Sequence, residues 1–136
     1  MVGILNISEG SSIGLHAAVH LARNPGEPVT TKEAAQAMKV SAAHLSKILQ
    51  RLARAGIIRA VRGPKGGYLL SRPLAEVTLR DIFEAIEGPL KLRDCLMSRP
   101  CCGQEGCMLG DMLCQINRQV VKHFDKPLSE LRGAGS

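Results

Sequence analysis

Apolar positions near the start of the chain follow helical spacing. They predict a first helix over residues 12–23, because aliphatic side chains recur there on one face. Those side chains are Leu15, Ala18, Val19 and Ala22. The Pro- and Gly-containing stretch 24–28 predicts a turn after this helix. Thr30, with Glu33 three positions later, has the pattern of a capping box and predicts the start of a second helix.

A third helix and a β-hairpin follow along the chain. Ser41 is a favourable N-cap for a helix over residues 42–55, and Gly56 is a favourable C-terminal stop. The side chains expected to point inward are Leu45, Ile48, Leu49 and Leu52. Residues 57–62 and 68–71 are predicted strands, because residue types that favour β-strands lie on both sides of a glycine-rich turn.

The second half of the chain adds two helices. Thr78 is the predicted cap of one helix, which ends at Gly88. Its predicted buried residues are Ile82, Phe83 and Ile86. An amphipathic pattern predicts a last helix over residues 108–125, which Pro127 stops. Its apolar stripe comprises Leu109, Met112, Leu113, Ile116, Val120 and Phe124. The order of elements indicates a mainly α fold with a small β-hairpin: a winged helix-turn-helix followed by a long C-terminal helix.

Composition limits the class of protein. A length of 136 residues favours one compact domain, or one domain with an appended helix. No apolar run approaches the roughly 20 residues that span a bilayer. Residues 1–10 also lack the features of a signal peptide. We therefore expect a cytoplasmic protein that contacts no membrane, and whose five cysteines stay reduced.

Positive charge is concentrated between Lys39 and Arg72. This stretch holds eight basic residues and no acidic one, so the remainder of the +6 chain carries −2. A solvated basic face is one interpretation, and a polyanion-binding surface is the other. Double-stranded nucleic acid is favoured, because the basic residues fall mainly on the predicted third helix and hairpin. Single strands are disfavoured, since Tyr68 is the only aromatic residue in this stretch.

The third helix has the size that fits a DNA major groove, which is about 12 Å wide. The residues expected to read bases from its front are Ser41, Ala43, His44, Ser46 and Lys47. The residues expected to contact phosphates are Lys47, Arg51, Arg59 and Lys65. Arg62, at the base of the hairpin, is placed to enter a minor groove. Tyr68 completes the predicted DNA-binding set.

Five cysteines lie within twenty residues. Cys95, Cys101 and Cys107 have the regular spacing C-x5-C-x5-C, Cys102 adjoins the second, and Cys114 lies seven positions beyond the third. Thiolates select zinc, cuprous copper or iron–sulfur clusters, and the paired spacing of structural zinc sites is absent here. Wide spacing in a glycine-containing loop suits a cluster. A set of reduced structural cysteines is the alternative.

Three regularly spaced thiolates leave one ligand position open. The candidates are Cys102, Asp111, Cys114 and, from outside the loop, His16. His16 and His20 are four positions apart on the first helix, a spacing that can bind metal, and a solvated histidine pair is the alternative. Cys114 lies beside the apolar stripe of the last helix, so we expect a buried structural thiol there.

Two stretches, residues 61–70 (VRGPKGGYLL) and residues 78–88 (TLRDIFEAIEG), carry a resemblance to a known family. They resemble the wing and the following helix of the Rrf family of bacterial winged-helix transcription regulators, of the IscR and NsrR type that senses through iron–sulfur clusters. Residues 40–52 look like its recognition helix, and the cysteine spacing matches its cluster motif. The resemblance covers about residues 5–131.

The resemblance implies a homodimer, crossed through the last helix, that binds a pseudo-palindromic DNA operator. It also implies a [2Fe–2S] or [4Fe–4S] cluster that controls DNA affinity. By this resemblance Ser41, Ala43, Ser46 and Lys47 fall at base-reading positions and Arg62 at the wing contact. We accordingly divide the chain into a DNA-binding domain (1–90), a cluster-binding loop (91–107), a dimerisation helix with the C-terminal segment (108–131) and a tail (132–136).

The sequence departs from the family at two ligand positions. In IscR-type members a histidine follows the third cysteine by three positions, and Gly110 stands there instead. In NsrR-type members an aspartate near the start of the first helix supplies a ligand, and Ser12 stands there. His16 lies one turn later, near the place where some members use a histidine that reaches the partner's cluster. His16 is therefore the favoured fourth ligand, ahead of Cys102.

The sequence thus predicts a dimeric DNA-binding transcription regulator, acting as a repressor, whose DNA affinity responds to redox, nitric oxide or iron–sulfur status. The alternative is a cluster-free regulator of the same fold that uses a thiol–disulfide or zinc switch, for which adjacent Cys101 and Cys102 leave room. An enzyme is not expected, because the chain has no phosphate-binding glycine loop, no nucleophile elbow and no paired carboxylates in a plausible cleft.

Overall fold

The computed structural model describes residues 7–92 and 108–132. In chain order the elements are α1 (Glu9–Arg23), α2 (Thr31–Met38), α3 (Ala42–Arg54), β1 (Ile58–Val61), β2 (Gly67–Leu70), a 3₁₀ turn (Leu74–Glu76), α4 (Leu79–Glu87), α5 (Met108–Phe124) and α6 (Leu128–Arg132). Within these ranges β1 and β2 form one antiparallel hairpin, and the other regular elements are helical. The predicted mainly α fold with a small hairpin is confirmed.

The first helix starts earlier than its apolar pattern predicts. It begins at Glu9 instead of residue 12, because the Ser8 hydroxyl caps it by accepting a hydrogen bond from the Ser11 amide at 3.1 Å. A polar segment is helical here because α1 packs against α3 and α4. Tertiary contact therefore extends the helix beyond the region that the apolar spacing marks.

The buried face of α1 is also rotated from the predicted one. Ala18 and Ala22 are buried, whereas Leu15 and Val19 are half-buried and pack against the core. The other buried side chains of α1 are Ser11, Ile13, Ala17 and Leu21. The physical reason is close packing at Gly14, which is buried where a Cβ would overlap the Ile86 side chain of α4.

The caps of α2 and α3 confirm the predicted start of both helices. The Thr30 hydroxyl accepts a hydrogen bond from the Glu33 amide at 3.0 Å, and the Ser41 hydroxyl accepts one from the His44 amide at 3.3 Å. Lys39 adopts a left-handed conformation (φ 58°) in the short turn between the two helices. All four predicted inward side chains of α3 are at most 4% exposed. This helix–turn–helix unit therefore has the packing that its sequence predicts.

The hairpin is tied to the start of α2 by a contact that the sequence pattern did not indicate. Val29 pairs with Tyr68 through two backbone hydrogen bonds of 3.0 and 2.8 Å. The register within the hairpin places Arg59 opposite Leu69 and Val61 opposite Gly67. The bridge fixes the hairpin against the helix–turn–helix unit, because it adds a third extended segment to the two strands.

Gly67 carries the closest backbone approach of the hairpin. Its φ is +147°, and an added Cβ would lie 2.5 Å from the carbonyl carbon of Val29. We expect Gly67→Ala to lower the free energy of unfolding by about 3 kcal/mol, from combined backbone strain and steric overlap. Gly63→Ala is the matched control, because Gly63 has a φ of +118° but open space around it. Its expected loss is about 1 kcal/mol, and equal losses in urea denaturation would contradict the overlap.

The last part of the fold joins α4 to the C-terminal helices. Thr78 and Asp81 form a complete capping box at the start of α4. The Phe83 and Phe124 rings lie 5.6 Å apart between centroids, which packs α4 against the end of α5. Of the predicted buried residues of α4, Ile82 is buried, whereas Phe83 and Ile86 are half-buried. The sequence also missed α6, whose Leu128 is 1% exposed and donates its amide to Val77 at 2.8 Å.

The beginning of α5 carries apolar side chains that the described chain does not cover. Of its predicted stripe only Leu113 is buried, while Leu109 is 53% and Met112 44% exposed. Met108, which lies outside that stripe, is 84% exposed. Cys114 is exposed as well, so the expected buried thiol was wrong. The reason is that α5 packs against α4 near its C-terminal end. Its first turns therefore lie outside the core of the single chain.

Candidate nucleic-acid interface

The eight basic residues between positions 39 and 72 all lie at the surface. Seven of them are exposed, and Arg72 is half-buried. Within residues 7–92 and 108–132, the ion pairs are those of Arg80 with Glu84 and Asp125, at 3.4 and 3.6 Å. None of the eight therefore has its charge neutralised by a carboxylate of the described chain. The surface is positive and open to an external polyanion.

One face of α3 presents its polar and basic side chains to solvent. The exposed residues of this helix include Ala43, Lys47, Gln50, Arg51 and Arg54. Their spacing of three or four positions places them along one side of the helix, opposite the buried leucines. Such an arrangement offers basic groups along the length of a helix that can enter a groove.

The N-terminal end of α3 holds the predicted base-reading residues. Ser41 and Ala43 are exposed, and His44 and Ser46 are half-buried. The Ser41 oxygen already accepts the hydrogen bond from the His44 amide, so its hydroxyl proton is the group available to an outside acceptor. Lys47, the fifth predicted base-reading residue, is exposed as well. The structure thus exposes three of these side chains and leaves the other two half-buried.

The wing carries the remaining predicted contacts. Arg59 on β1 is exposed, and Arg62 and Lys65 are exposed at the turn between the strands. Tyr68 is half-buried, and its backbone is occupied by the bridge to Val29. The basic side chains of the wing and of α3 therefore belong to one connected unit of helix, strand and turn.

Arg51 has an intramolecular partner in addition to its predicted role. Its Nη1 donates a hydrogen bond to the backbone oxygen of Ile86 at 3.3 Å. A guanidinium has five N–H donors, so this bond leaves others available for a phosphate. The sequence pattern did not indicate the contact, because it joins residues 35 positions apart.

A second contact near the end of α4 was also missed. The Glu87 carboxylate accepts hydrogen bonds from the hydroxyls of Ser8 and Ser11, the latter at 2.7 Å. Ser11 is fully buried, so the bond satisfies a polar group within the core. The available signal was Glu87 itself. A carboxylate in the last turn of a helix is unfavourable to that helix unless another element uses it.

The proposed metal ligands are only partly within the described residues. Cys95, Cys101, Cys102 and Cys107 lie outside them. His16 is exposed beside a groove of about 480 Å³ between α1 and the end of α2. Its Nδ1 lies 2.6 Å from the Ser12 oxygen, which leaves Nε2 directed away from its own helix. The described part of the chain holds no group of three metal-binding side chains.

No helix in the described ranges is both long and apolar enough to cross a membrane.

Curated relatives include two proteins named as HTH-type transcriptional regulators. YwgB of Bacillus subtilis is 34% identical over 85 residues, which are 62% of this chain and 54% of that protein. BadM of Rhodopseudomonas palustris is 37% identical over 83 residues, which are 61% of this chain and 53% of that protein. The chain thus spans about half the length of these relatives.

Solved structures match the fold over nearly the whole chain. The structure of CymR, the global cysteine regulator of B. subtilis, has a TM-score of 0.81 and 27% identity and covers 98% of this chain and 100% of its own. An oxidized form of Staphylococcus aureus CymR has a TM-score of 0.69 and 27% identity, with coverage of 94% and 96%. T. potens IscR, at 24% identity, has a TM-score of 0.74 with coverage of 98% and 90%, and shows the same fold.

A family model also matches most of the chain. The model of the Rrf2 family, described as iron-dependent transcriptional regulators, matches residues 7–127. That range contains the helix–turn–helix unit, the wing, the cysteine segment (residues 95–107) and all of α5. The resemblance stated from the sequence is confirmed, and the chain belongs to the Rrf2 family of transcriptional regulators.

Proposed function

We propose that this protein is a dimeric DNA-binding repressor whose affinity for its operator is controlled by a cysteine-bound iron–sulfur cluster. The observation that carries the proposal is the unpaired positive surface of α3 and the wing. Eight basic residues at the surface have no carboxylate partner within the described ranges. A surface of this kind binds DNA phosphates with release of counterions.

The docking that fits this surface places α3 in a major groove. Lys47, Arg51, Arg59 and Lys65 then reach phosphates on both sides of the groove. Ser41, Ala43, His44 and Ser46 face base edges from the front of the helix. Arg62 at the wing enters the adjacent minor groove, with Tyr68 beside it. Contacts to the DNA phosphates give affinity and fix the position of the protein on the duplex. The residues at the start of α3 select the DNA sequence.

The exposed apolar side chains at the start of α5 favour a homodimer. Met108, Leu109 and Met112 would be unusual on a monomer surface, because together they form an apolar patch on one helix. Pairing of two α5 helices about a two-fold axis covers that patch. It also presents two α3 helices to half-sites about 34 Å apart, which matches a pseudo-palindromic operator.

The cysteine segment supplies the sensing part of the proposal. Cys95, Cys101 and Cys107 offer three soft thiolates, a donor set that suits an iron–sulfur cluster of the [2Fe–2S] or [4Fe–4S] type. His16 is the proposed fourth ligand, because its Nδ1 lies against the Ser12 backbone oxygen and its Nε2 has no hydrogen bond within the described ranges. The iron-dependent description of the family supports this assignment. The cluster, when bound, makes the charge and order of this segment sensitive to oxidants and nitric oxide.

Purification without oxygen, followed by DNA titration, tests the proposal. The operator is first selected from a library of random double-stranded DNA. The dissociation constant is then measured for the cluster-loaded protein and for the same protein after chelation of iron. We expect the two values to differ by about tenfold or more. Equal values with an intact cluster would contradict control by the cluster, and no selection of DNA would contradict the whole proposal.

Lys47, an exposed lysine of α3, allows the predicted phosphate contact to be tested without a change in the core. We expect Lys47→Ala to weaken operator binding by about tenfold and to lower the slope of log K against log salt by about 1, because one phosphate contact is lost. Lys122→Ala on α5 is the control, since Lys122 is equally exposed but outside the basic stretch. Fluorescence anisotropy at several salt concentrations measures both quantities, and equal slopes for the two variants would refute the docking.

A cluster-free thiol switch is the second candidate function. It is favoured by the likeness to CymR, one of whose structures is named as an oxidized form. Cys101 and Cys102 are adjacent, so one thiol of the segment can resolve an oxidised partner. A colourless protein without iron, whose DNA affinity changes on oxidation with a disulfide and recovers on reduction, is the result that would establish it.

A further inference from the structure

The last turn of α4 is held by two other helices at the same time. On one side, Nη1 of Arg51 in α3 donates to the backbone oxygen of Ile86 at 3.3 Å. On the other side, the Glu87 carboxylate accepts hydrogen bonds from Ser8 and Ser11 at the start of α1. Two neighbouring residues of α4 thus connect the proposed DNA-reading helix to the N-terminal helix.

Side-chain packing at this junction leaves little free space. An added Cβ at Gly14 of α1 would overlap the end of the Ile86 side chain and lie 3.4 Å from Cγ2 of Ile48 in α3. At Gly10 an added Cβ would lie 3.3 Å from Cδ1 of Ile48. Side chains of α3 and α4 therefore both pack closely on α1 at Gly14, and a shift of the last turn of α4 moves its neighbours.

The charges at the junction match the helix ends that they meet. Arg51 places a cation at the C-terminal end of α4, where backbone oxygens lack helical partners. Glu87 places a carboxylate at the N-terminal end of α1, where backbone amides lack partners. Each contact is thus favourable to the helix that receives it, and both depend on α4 keeping its last turn.

The chain that leaves this turn leads directly to the cysteines. Gly88 donates its amide to Glu84 at 2.9 Å, and Leu90 donates its amide to the Glu84 carboxylate at 2.7 Å. Cys95 follows Leu90 by five positions. The exit from α4 is therefore fixed against the helix up to Leu90, five positions before the first cysteine.

We infer that Arg51 is a positioning residue that transmits the state of the cysteine segment to α3. A change that loosens or rotates the last turn of α4 removes the Ile86 oxygen from Arg51. The guanidinium then changes its direction and α3 loses its support on α4. The inference rests on the proposed control of DNA binding by the cluster, and it adds the route by which that control reaches the DNA-reading helix.

Two methionine variants of α3 test the role of Arg51. Arg51→Met and Lys47→Met each remove one positive charge from the exposed face of the helix, but only Arg51 bonds to α4, and Lys47 has no hydrogen bond or ion pair in the described ranges. We expect both to weaken operator binding by a similar factor of about ten. The ratio of dissociation constants between metal-free and cluster-loaded protein should fall toward 1 in Arg51→Met and stay within about twofold of wild type in Lys47→Met. Arg51→Lys, which retains a donor, should restore part of the ratio.

A measurement on the metal-free protein tests the contact without any cluster. Loss of the bond to Ile86 loosens the last turn of α4, so the Gly88 amide should exchange with solvent deuterium about fivefold faster in Arg51→Met than in wild type. Lys47→Met should leave this rate unchanged.

The outcomes separate the inference from the proposed function. Equal affinity ratios in both methionine variants, with a switching wild type, would overturn the inference. A wild-type ratio of 1 would instead overturn the proposed control by the cluster. In that case the deuterium exchange rate of the Gly88 amide still tests whether Arg51 positions the end of α4. An unchanged rate in Arg51→Met would contradict that role.

Discussion

Cys101→Ala should abolish the visible absorption of protein purified without oxygen, whereas Cys114→Ala should leave it intact. Cys101 is the central thiolate of the C-x5-C-x5-C spacing, so its loss leaves too few ligands to hold an iron–sulfur cluster. Cys114 lies on α5, seven positions beyond that spacing and exposed on the helix surface. The expected iron and sulfide content is close to zero for the first variant and equal to wild type for the second.

Both variants need a check that the fold survives. Circular dichroism and operator binding of the metal-free forms serve this purpose, because neither depends on the cluster. A coloured Cys101→Ala protein with full iron content would contradict the ligand assignment. Loss of colour in Cys114→Ala would place that thiol in the cluster and would exclude His16 as the fourth ligand. His16→Ala is the complementary variant, and it should lower the stability of the cluster to chelators without altering DNA affinity of the metal-free protein.

Met112→Glu should convert the dimer into a monomer and weaken operator binding by about two orders of magnitude. Met112 is 44% exposed in the single chain and belongs to the apolar patch at the start of α5. A carboxylate buried there in a dimer interface has no partner, and removing its hydration costs several kcal/mol. A monomer binds one half-site, so it loses the gain in effective concentration that the second α3 provides.

Arg118→Glu is the matched control for this prediction. Arg118 is an exposed residue of the same helix, six positions after Met112. It therefore lies about 120° around the helix from Met112. Arg118→Glu also introduces a carboxylate on α5, but this variant should remain a dimer in sedimentation equilibrium. A dimeric Met112→Glu protein would show that the apolar patch is not the interface. A monomeric protein with wild-type operator affinity would refute the two-half-site docking.

The DNA-binding half of the molecule was readable from local signals. The caps at Thr30, Ser41 and Thr78 depend on side chains within four positions of the amides they bind, and the structure has all three. The aliphatic residues of α3 recur at helical spacing, so only one face of this helix can be the buried one. The wing was predicted from residue types that favour β-strands on both sides of a glycine-rich turn. Each of these signals is complete within a short stretch of chain.

Contacts between distant residues were not readable in this way. The buried face of α1 depends on how closely Gly14 lets α4 approach, and small residues carry little periodic signal. The Val29–Tyr68 bridge joins backbone groups, which every residue possesses and which leave no mark on the sequence. Cys114 was expected to be buried from its neighbours on the helix, yet α5 packs against α4 only toward its C-terminal end.

The winged helix-turn-helix, the concentration of positive charge on it and the family of the chain could all be predicted before the structure was known. These properties depend on residue type and spacing, which local physics translates directly into helices, strands and surface charge. Only the packing of the helices shows that those charges lack carboxylate partners in the described chain and that Arg51 and Glu87 connect α4 to α3 and α1. Side chains from separate helices meet only after the core has set the distances between them, so no stretch of sequence contains that information.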